Sequence, residues 1–284
     1  MQARAAETFR VVEYNVENYL EVSNGARPAK SEEAKTAVRE TIRGLKPDVL
    51  ALEEIGGTNA LSELQGSLKS EGLDLPYGEL VNGSDTNIQV AILSRLPITA
   101  RRPQTNDFFL LAGRRWRVSR GFAEVDIRVN DRFSFTLMAV HLKSKLTIPE
   151  ADEADMRLEE AKLLRAKIDA RLEANPRLNL VVLGDFNDLQ DSDTMRTIIG
   201  RGSRELTDTR PAERNGDAAT GTGPVTWTEH YTKEDIYSRI DYILLSRAMA
   251  REWDRADTFI PVLPNWETAS DHRPLVATFI VDGR

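Results

Sequence analysis

The stretch Leu180–Asp188, with the sequence LVVLGDFND, constrains the fold of this chain more than any other. Its four consecutive apolar residues predict a strand that is buried on both faces of a sheet. Gly184 then lets the backbone turn, and Asp185 and Asn187 follow at a spacing of two, so both side chains can face the same way. A carboxylate and an amide held at the mouth of a sheet suit a metal-bound water or a phosphate oxygen. Turns are rich in such residues for ordinary reasons, so this stretch alone does not decide the function.

The composition excludes several kinds of protein and site. The 284 residues are 40% hydrophobic and 29% charged, as in a globular protein of one large or two small domains. Because the chain has no cysteine, it has no disulfide, thiolate nucleophile or cysteine–zinc site. The net charge of −7 gives no overall attraction for nucleic acid, which would need a local basic patch or divalent cations. No apolar run of about 18 residues predicts a membrane-spanning helix.

We expect residues 1–8 to form an N-terminal tail and residues 9–284 to form a single domain, because no linker or repeat interrupts the chain. The tail lacks the apolar core of a signal peptide. The compartment stays open, and a secreted or periplasmic bacterial protein whose signal peptide is absent from this chain is one option. We expect a monomer.

Apolar periodicity predicts many strands and a few long helices, which favours an α+β fold with two packed sheets and helices outside them. Residues 101–120 differ in composition, with six arginines against one acid, and residues 210–223 are expected to form a surface loop. The predicted helices cover 31–45, 59–69, 149–174 and 192–199, and the predicted strands cover 9–14, 48–52, 90–93, 121–128, 132–140, 180–183, 225–230, 240–245 and 274–281.

Polar residues that a core would not accommodate stand at six strand ends or adjacent turns. Carboxylates hold a hard divalent cation through oxygen. A His–Asp pair provides an oriented imidazole, which can act as a general base or as a charged phosphate ligand. Together these groups suit metal-assisted attack of water on a phosphate ester. The set consists of Asn15, Glu54, His141, Asp185 with Asn187, Asp241, and Asp271 with His272.

Seven short motifs, taken in order, resemble those of the endonuclease/exonuclease/phosphatase superfamily. This DNase I-like group includes pancreatic deoxyribonuclease, apurinic endonucleases, neutral sphingomyelinases and inositol polyphosphate 5-phosphatases. The resemblance implies a four-layer αββα sandwich of two mainly antiparallel sheets flanked by helices, with the site at one edge. The motifs are YNVEN from Tyr14, LEE from Leu52, AILSR from Ala91, VHLKS from Val140, GDFN from Gly184, RIDY from Arg239 and SDH from Ser270.

The resemblance also implies a role for each site residue. Glu54 resembles the metal-binding glutamate of the family, with Asn15 and Asp271 nearby. His272 resembles the general base, or the imidazolium that contacts the scissile phosphate. Asp241 resembles the carboxylate that orients this histidine.

On the other side of the implied site, Asp185 and Asn187 resemble the pair that positions the attacking water and a phosphate oxygen. His141 resembles the second histidine of the deoxyribonuclease-like branch. The implied cofactor is Mg²⁺, with Mn²⁺ or Ca²⁺ as alternatives. One departure is Glu53, where the family commonly has glutamine. Strand alternation puts only one of these two adjacent acids on the site face, and we choose Glu54.

Three further residues are predicted to contact substrate, each with a plain structural alternative. Arg120 resembles a recurrent family arginine, and the cluster 114–120 would form a phosphate-binding rim or an ordinary exposed loop. Lys143 would contact phosphate or only face solvent. Trp227 would stack on a base or belong to the core. His230 is expected in a loop or on the surface.

We therefore expect an enzyme, a divalent-metal-dependent phosphodiesterase, with nucleic acid as the first choice of substrate. The stretch 141–145 looks like the corresponding part of extracellular bacterial nucleases, and the arginines suit a polyanion. One alternative is a phosphodiesterase or phosphatase acting on lipid or sugar phosphates, for which residues 107–111 are the only candidate apolar loop. Another is a binding protein that keeps the fold and has lost catalysis.

Overall fold

Two six-stranded sheets form the centre of the molecule, which is a computed structural model describing residues 6–25, 27–214, 224–264 and 266–281. The first sheet has the strand order β15 (Trp253–Phe259), β16 (Leu275–Val281), β1 (Glu7–Tyr19), β2 (Val49–Ile55), β4 (Gln89–Ser94) and β3 (Tyr77–Val81). The second has the order β11 (Thr207–Asp208), β14 (Asp241–Leu245), β10 (Leu180–Asp185), β9 (Ser134–His141), β8 (Phe122–Arg128) and β5 (Ile98–Arg101).

Two separate hairpins and five α-helices complete the described part of the chain. One hairpin pairs β6 (Phe108–Leu111) with β7 (Arg114–Arg117), and the other pairs β12 (Glu229–Tyr231) with β13 (Ile236–Ser238). The helices are α1 (Glu32–Leu45), α2 (Thr58–Ser70), α3 (Glu153–Ala174), α4 (Asp193–Ile199) and α5 (Trp266–Ala269). No helix among the described residues is long and apolar enough to cross a membrane.

Three apolar clusters show how the layers stack. The cluster between the sheets contains residues of both, such as Val11 from β1 and Val181 from β10. A second cluster packs α1 and α2 against the outer face of the first sheet. A third packs α3 and α4 against the outer face of the second sheet. These contacts confirm the predicted four-layer αββα sandwich.

Some predicted boundaries differ from the structure. The long helix begins at Glu153 instead of 149, because the Asp152 carboxylate caps it by accepting the backbone N–H groups of Ala154 and Asp155. The strand predicted at 225–230 forms only at Glu229–Tyr231. Of the predicted tail, residues 1–5 lie outside the described residues, and β1 begins at Glu7. Residues 215–223 of the predicted loop also lie outside the described residues.

Strand pairing brings the polar strand ends to one edge of the sandwich. In the second sheet β9 and β10 run parallel, so Asp185 lies opposite His141. Strand β14 runs antiparallel to β10 and begins at Asp241, which pairs with Asp185. In the first sheet β1 and β2 are also parallel, and Asn15 pairs with Glu53. Residues far apart in sequence therefore meet at this edge.

Candidate active site

Asp185 lies at the centre of a buried hydrogen-bond network. Its Oδ1 accepts the backbone N–H of Asn187 at 2.8 Å. Its Oδ2 accepts the side-chain amides of Asn187 and Asn15, each at 3.1 Å, and lies 3.4 Å from Nε2 of His141. Burial, and next the negative charge of Asp241, raise the pKa of Asp185 to about 8. This carboxyl group can therefore take up a proton near neutral pH.

The turn after β10 requires two unusual backbone conformations. Gly184 has φ +133°, and a Cβ atom there would lie 1.9 Å from the carbonyl oxygen of Val140. Asn187 has φ 55°, in the left-handed region that asparagine tolerates better than most residues. Its amide also donates to the carbonyl oxygen of Leu142 at 3.2 Å. The predicted glycine turn is thus explained by a close backbone approach as well as by conformational freedom.

His272 is held by Asp241 on one side and faces the cleft with the other. Its Nδ1 lies 3.0 and 3.1 Å from the two carboxylate oxygens of Asp241. Its Nε2 lies 3.9 Å from Oδ2 of Asp185 and 3.9 Å from Oδ1 of Asp271. Burial alone would lower the pKa of His272, but the carboxylates, Asp241 foremost, outweigh it and raise the pKa well above its ordinary value. The ring is therefore a charged imidazolium at neutral pH.

Two hydroxyl side chains fix the ends of the strands that carry this pair. The hydroxyl of Thr228 accepts the backbone N–H of Asp241 at 3.2 Å. The hydroxyl of Ser270 accepts the backbone N–H of His272 at 3.1 Å and donates to the carbonyl oxygen of Asn15 at 2.7 Å. The SDH motif is therefore tied directly to the end of β1.

His141 is the second histidine of the cluster and is almost completely buried. Burial, and then the nearby charges of Arg120, His272, Arg27 and Lys143, lower its pKa well below the ordinary value, so its imidazole is neutral. It can accept or donate a hydrogen bond beside Asp185 without adding positive charge.

Arg120 and Lys143 lie next to His141, but both are buried and bonded to the loop that follows β9. One guanidinium nitrogen of Arg120 donates to the carbonyl oxygen of Leu142 at 3.1 Å. The ammonium group of Lys143 donates to the carbonyl oxygens of Ser144 at 3.0 Å and Leu146 at 2.8 Å. These bonds stabilise the loop, and contact of either residue with substrate stays a prediction.

The carboxylates of Glu54, Asp271 and Glu17 form an acidic corner of the site around Lys30. Glu54 has φ 66°, and its Oε2 accepts the backbone N–H of Asn18 at 2.8 Å. The ammonium of Lys30 lies 3.9 Å from the Glu17 carboxylate. Burial lowers the pKa of Lys30, and the charges of Glu17, Asp271 and Glu54 oppose that shift. Three carboxylates around one ammonium leave an excess of negative charge, which fits a hard divalent cation.

A second set of ligand atoms could also hold a cation. One atom each from Asp185, Asp241 and His272 lies within 4.8 Å of the others. However, Nδ1 of His272 is already bonded to Asp241. We therefore interpret this trio as a hydrogen-bonded network, and a cation beside Glu54 and Asp271 stays a prediction. Both polar atoms of the Asn15 side chain are already hydrogen-bonded. Its amide N–H donates to Asp185, and its Oδ1 accepts the backbone N–H of Glu17 at 3.0 Å.

A buried pair of acids beneath the cleft was not predicted from the sequence. Glu13 and Glu53 are both 0% exposed, and among the described residues their carboxylate oxygens have no hydrogen-bond partner outside the pair. Burial, and next the charge of Asp241, raise the pKa of both well above the ordinary value. A sequence signal existed, because Glu13 precedes Asn15 by two residues in β1 and so shares its face.

Glu160 of α3 is a second residue that the sequence did not single out. Its Oε1 accepts the backbone N–H of Ser119 at 2.7 Å, and its Oε2 accepts that of Lys143 at 2.7 Å. This carboxylate therefore ties the segments that carry Arg120 and His141 to one helix. A glutamate within a helix gives no sequence signal for such a role.

Trp227 belongs to an aromatic group beside His272. Its ring centroid lies 5.0 Å from that of Tyr237 and 5.1 Å from that of Trp266. His230, expected in a loop or on the surface, is instead buried in β12 and stacks on Tyr237 at 4.1 Å. The group adjoins the site because β12 forms a bridge with His272. Stacking of Trp227 on a base stays a prediction.

Solved structures of the same fold cover almost the whole chain. The human Nocturnin catalytic domain has a TM-score of 0.67 at 17% identity, over 96% of this chain and 97% of its own. A beta toxin structure from Staphylococcus aureus has a TM-score of 0.67 at 16% identity, over 95% and 99%. An AP endonuclease from Archaeoglobus fulgidus has a TM-score of 0.62 at 15% identity, over 95% and 99%. At such identities the likeness establishes the fold.

No curated protein sequence matches the chain. A sequence profile described as "Endonuclease/Exonuclease/phosphatase family" matches residues 12–272, which is most of the chain. The order of the seven motifs, the four-layer fold and this match agree, and the chain belongs to the endonuclease/exonuclease/phosphatase family of phosphoric-ester hydrolases.

Proposed function

We propose that this protein is a divalent-metal-dependent nuclease that hydrolyses phosphodiester bonds by attack of water. The observation that carries the proposal is the arrangement of His272 between Asp241 and Asp185 at one sheet edge. It combines a charged hydrogen-bond donor with a carboxyl group whose pKa, about 8, suits proton transfer near neutral pH.

The residues divide the chemistry between them. In its ionised form Asp185 accepts a proton of the attacking water, whose oxygen forms the new bond to phosphorus. The imidazolium of His272, oriented by Asp241, donates to a phosphate oxygen and stabilises the charge that builds up as the bond to the leaving oxygen breaks. Of the two roles left open for His272, its raised pKa favours this charged one. Asn187 and the neutral His141 hold the phosphate and the Asp185 carboxyl group in place.

The carboxylates of the acidic corner would bind the divalent cation. Glu54 and Asp271 would hold Mg²⁺, supported by Asn15. When bound there, the ion supplies Lewis-acid polarisation of a phosphoryl oxygen. Mn²⁺ and Ca²⁺ prefer the same oxygen ligands, so the ligand set does not distinguish the three ions.

A lipid phosphodiesterase is the second candidate, and one observation favours it. Hairpin β12–β13 adjoins His272 and carries three exposed large side chains, Tyr231, Ile236 and Tyr237, which are 41%, 46% and 51% exposed. Apolar and aromatic side chains of this kind suit a membrane interface. We rank nucleic acid first because Arg114 and Arg115 are exposed and, within the described residues, form no ion pair.

A substrate panel tests the proposal. Supercoiled DNA, RNA, sphingomyelin vesicles, inositol phosphates and a chromogenic phosphate bis-ester would each be incubated with Mg²⁺, Mn²⁺ or Ca²⁺, and with EDTA. We expect nicking of DNA or cleavage of RNA that EDTA abolishes. Turnover of sphingomyelin or an inositol phosphate without nucleic-acid cleavage would replace the proposal by the second candidate. No turnover of any substrate would point to a binding protein.

A further inference from the structure

Hairpin β6–β7 presents two different faces, and the inner one fixes it to the body of the protein. Cross-strand pairs share a face, so Phe109 and Trp116 lie on one side. Phe109 is buried, and the indole N–H of Trp116 donates to the carbonyl oxygen of Leu111 at 3.2 Å. At the base of the hairpin, the ammonium of Lys167 on α3 lies 2.9 Å from Oδ1 of Asp107. The hairpin is thus an anchored arm.

The outer face combines arginine with apolar side chains. The register pairs Leu110 with Arg115 and Phe108 with Arg117 on this face, whereas Arg114 pairs with Leu111 on the opposite face, beside the tip. Leu110 is 76% exposed and Phe108 is 40% exposed. The guanidinium carbon of Arg115 lies 4.0 Å from the ring centroid of Phe108, so one face of that ring is covered. The outer face is therefore cationic, with little open aromatic surface.

The positive charge of the arm is not compensated locally. Residues 108–120 contain no acid, and the one at the base, Asp107, pairs with Lys167. Within the described residues, Arg114 and Arg115 are exposed and form no ion pair. A cationic arm on a chain of net charge −7 is a local feature that suits a polyanionic partner.

The arm leads directly to the catalytic cleft. Three residues after β7, Arg120 donates to the carbonyl oxygen of Leu142, which also accepts the Asn187 amide. Arg115 precedes Arg120 by five residues, which span at most about 17 Å. That distance corresponds to about five base pairs of duplex, at about 3.4 Å per phosphate along one strand. This is an upper limit, so a strand bound at the site could reach the arm within about five nucleotides of Arg120.

We propose that hairpin β6–β7 is a nucleic-acid-binding arm, whose Arg114 and Arg115 hold phosphates several nucleotides away from the cleaved bond. Phosphate contacts suit this face better than base stacking, because Arg115 already covers one face of the Phe108 ring. A membrane suits it less, since Leu110 is the only apolar side chain of the arm that is mostly exposed. The inference rests on the proposed nuclease activity and adds where the polymer binds.

The test compares a double variant, Arg114→Ala/Arg115→Ala, with the charge-matched control Arg128→Ala/Arg177→Ala. The control arginines are exposed and lie at the far ends of β8 and β10 from the site. Cleavage of a 30-base-pair duplex, a dinucleotide and the chromogenic bis-ester would be measured over a range of salt concentrations. Binding to vesicles of phosphatidylcholine and phosphatidylserine would be measured in parallel.

For the arm variant we expect KM on the long duplex to rise roughly tenfold, with kcat nearly unchanged. The slope of log KM against log salt should fall by about 1.8, because each lost phosphate contact contributes about 0.9. The dinucleotide and the bis-ester are too short to reach the arm and should be cleaved as by the wild type, and the control should match the wild type throughout. These results would support the proposal that hairpin β6–β7 binds nucleic acid.

If the arm variant had an unchanged KM and salt slope on the long duplex, the proposal that hairpin β6–β7 binds nucleic acid would be overturned, while the nuclease proposal would stay intact. An equal loss of cleavage activity on all three substrates would also overturn the proposal, since such a loss would indicate damage to the active site. Loss of vesicle binding with unchanged duplex cleavage would assign the arm to a membrane. A wild-type enzyme that cleaves the bis-ester and no nucleic acid would instead overturn the nuclease proposal itself.

Discussion

His272 bonds Asp241 through one ring nitrogen and turns the other toward the cleft. We expect His272→Ala to lower the rate on a chromogenic bis-ester by about a hundredfold or more, the usual scale for a group that moves or holds a proton. Far-ultraviolet circular dichroism would show that the variant folds. The Asp241→Asn variant should also hydrolyse the bis-ester slowly. In that variant the pKa of His272, measured by NMR, should be lower than in the wild type. Near-normal activity of His272→Ala would remove the assignment.

The buried carboxyl group of Glu53 should make the stability of the folded protein depend on pH. Its pKa is raised in the folded protein by burial and neighbouring carboxylates, so ionisation is easier in the unfolded chain. Wild-type stability should therefore fall as pH rises above the unfolded pKa of about 4.3. The glutamine of Glu53→Gln cannot ionise. The melting temperature of this variant relative to the wild type should therefore rise from pH 4.5 to pH 8, by roughly 2–4 °C for each kcal/mol of unfolding free energy that the wild type loses.

The matched control for this measurement is Glu40→Gln on the exposed face of α1, which should melt like the wild type at both values of pH. A constant difference between Glu53→Gln and the wild type across this range would show that the buried pair does not gain protons on folding. Thermal denaturation followed by circular dichroism is sufficient.

The sequence could predict which polar strand ends meet at one edge of the sandwich, but not the acids beneath them. Asp185, Asp241 and His272 stand out because polar residues at the ends of buried strands have few structural reasons to be there. Glu13 and Glu53 lie within apolar strands, and their proximity depends on the parallel register of β1 and β2 and on the opposite sheet. One sequence cannot give that packing, although the shared face of Glu13 and Asn15 was visible.

At the scale of elements, α3 positions two loops through one carboxylate. Glu160→Gln keeps one acceptor oxygen and places an N–H₂ group against the backbone N–H of Ser119 or Lys143. A lost hydrogen bond to a charged group with an unsatisfied buried donor costs about 1–3 kcal/mol. We expect a lower melting temperature, slower catalysis, and faster hydrogen exchange at these two amides.

The neighbouring Glu159→Gln serves as the control, because Glu159 pairs only with Lys162 on the same helix among the described ion pairs. It should leave both amides as protected as in the wild type. If Glu160→Gln behaved in the same way, the carboxylate would not be the tie between α3 and the two loops.

Elements with strong periodicity were predicted, and those decided by tertiary contacts were not. The strands that fill the core, such as β10, appear in the sequence as continuous apolar runs. Hairpin β12–β13 has no such pattern, because it pairs only with itself and with His272. The apolar residues of 107–111 fit either a loop or a strand, and the burial of Phe109 explains why Phe108–Leu111 form a strand of the arm.

At the scale of the whole molecule, an acidic chain that gathers carboxylates at one edge should be stabilised by the cation it binds. Ligand that binds only the folded state at 100 times its Kd adds about 2.7 kcal/mol, or roughly 5–10 °C in melting temperature at about 2–4 °C for each kcal/mol. We expect Mg²⁺ to raise the melting temperature of the wild type by this order, and EDTA to reverse the rise.

The variant Glu54→Gln should lose most of this Mg²⁺-dependent rise, because it removes one of the carboxylates that face Lys30. The exposed Glu21→Gln changes the net charge equally and should keep the rise. Melting curves in Mg²⁺ and in EDTA give the result without any substrate, so the cation site is tested separately from catalysis. If Glu54→Gln kept the full rise while Asp185→Asn or Asp241→Asn lost it, the cation would belong to the Asp185, Asp241 and His272 trio instead.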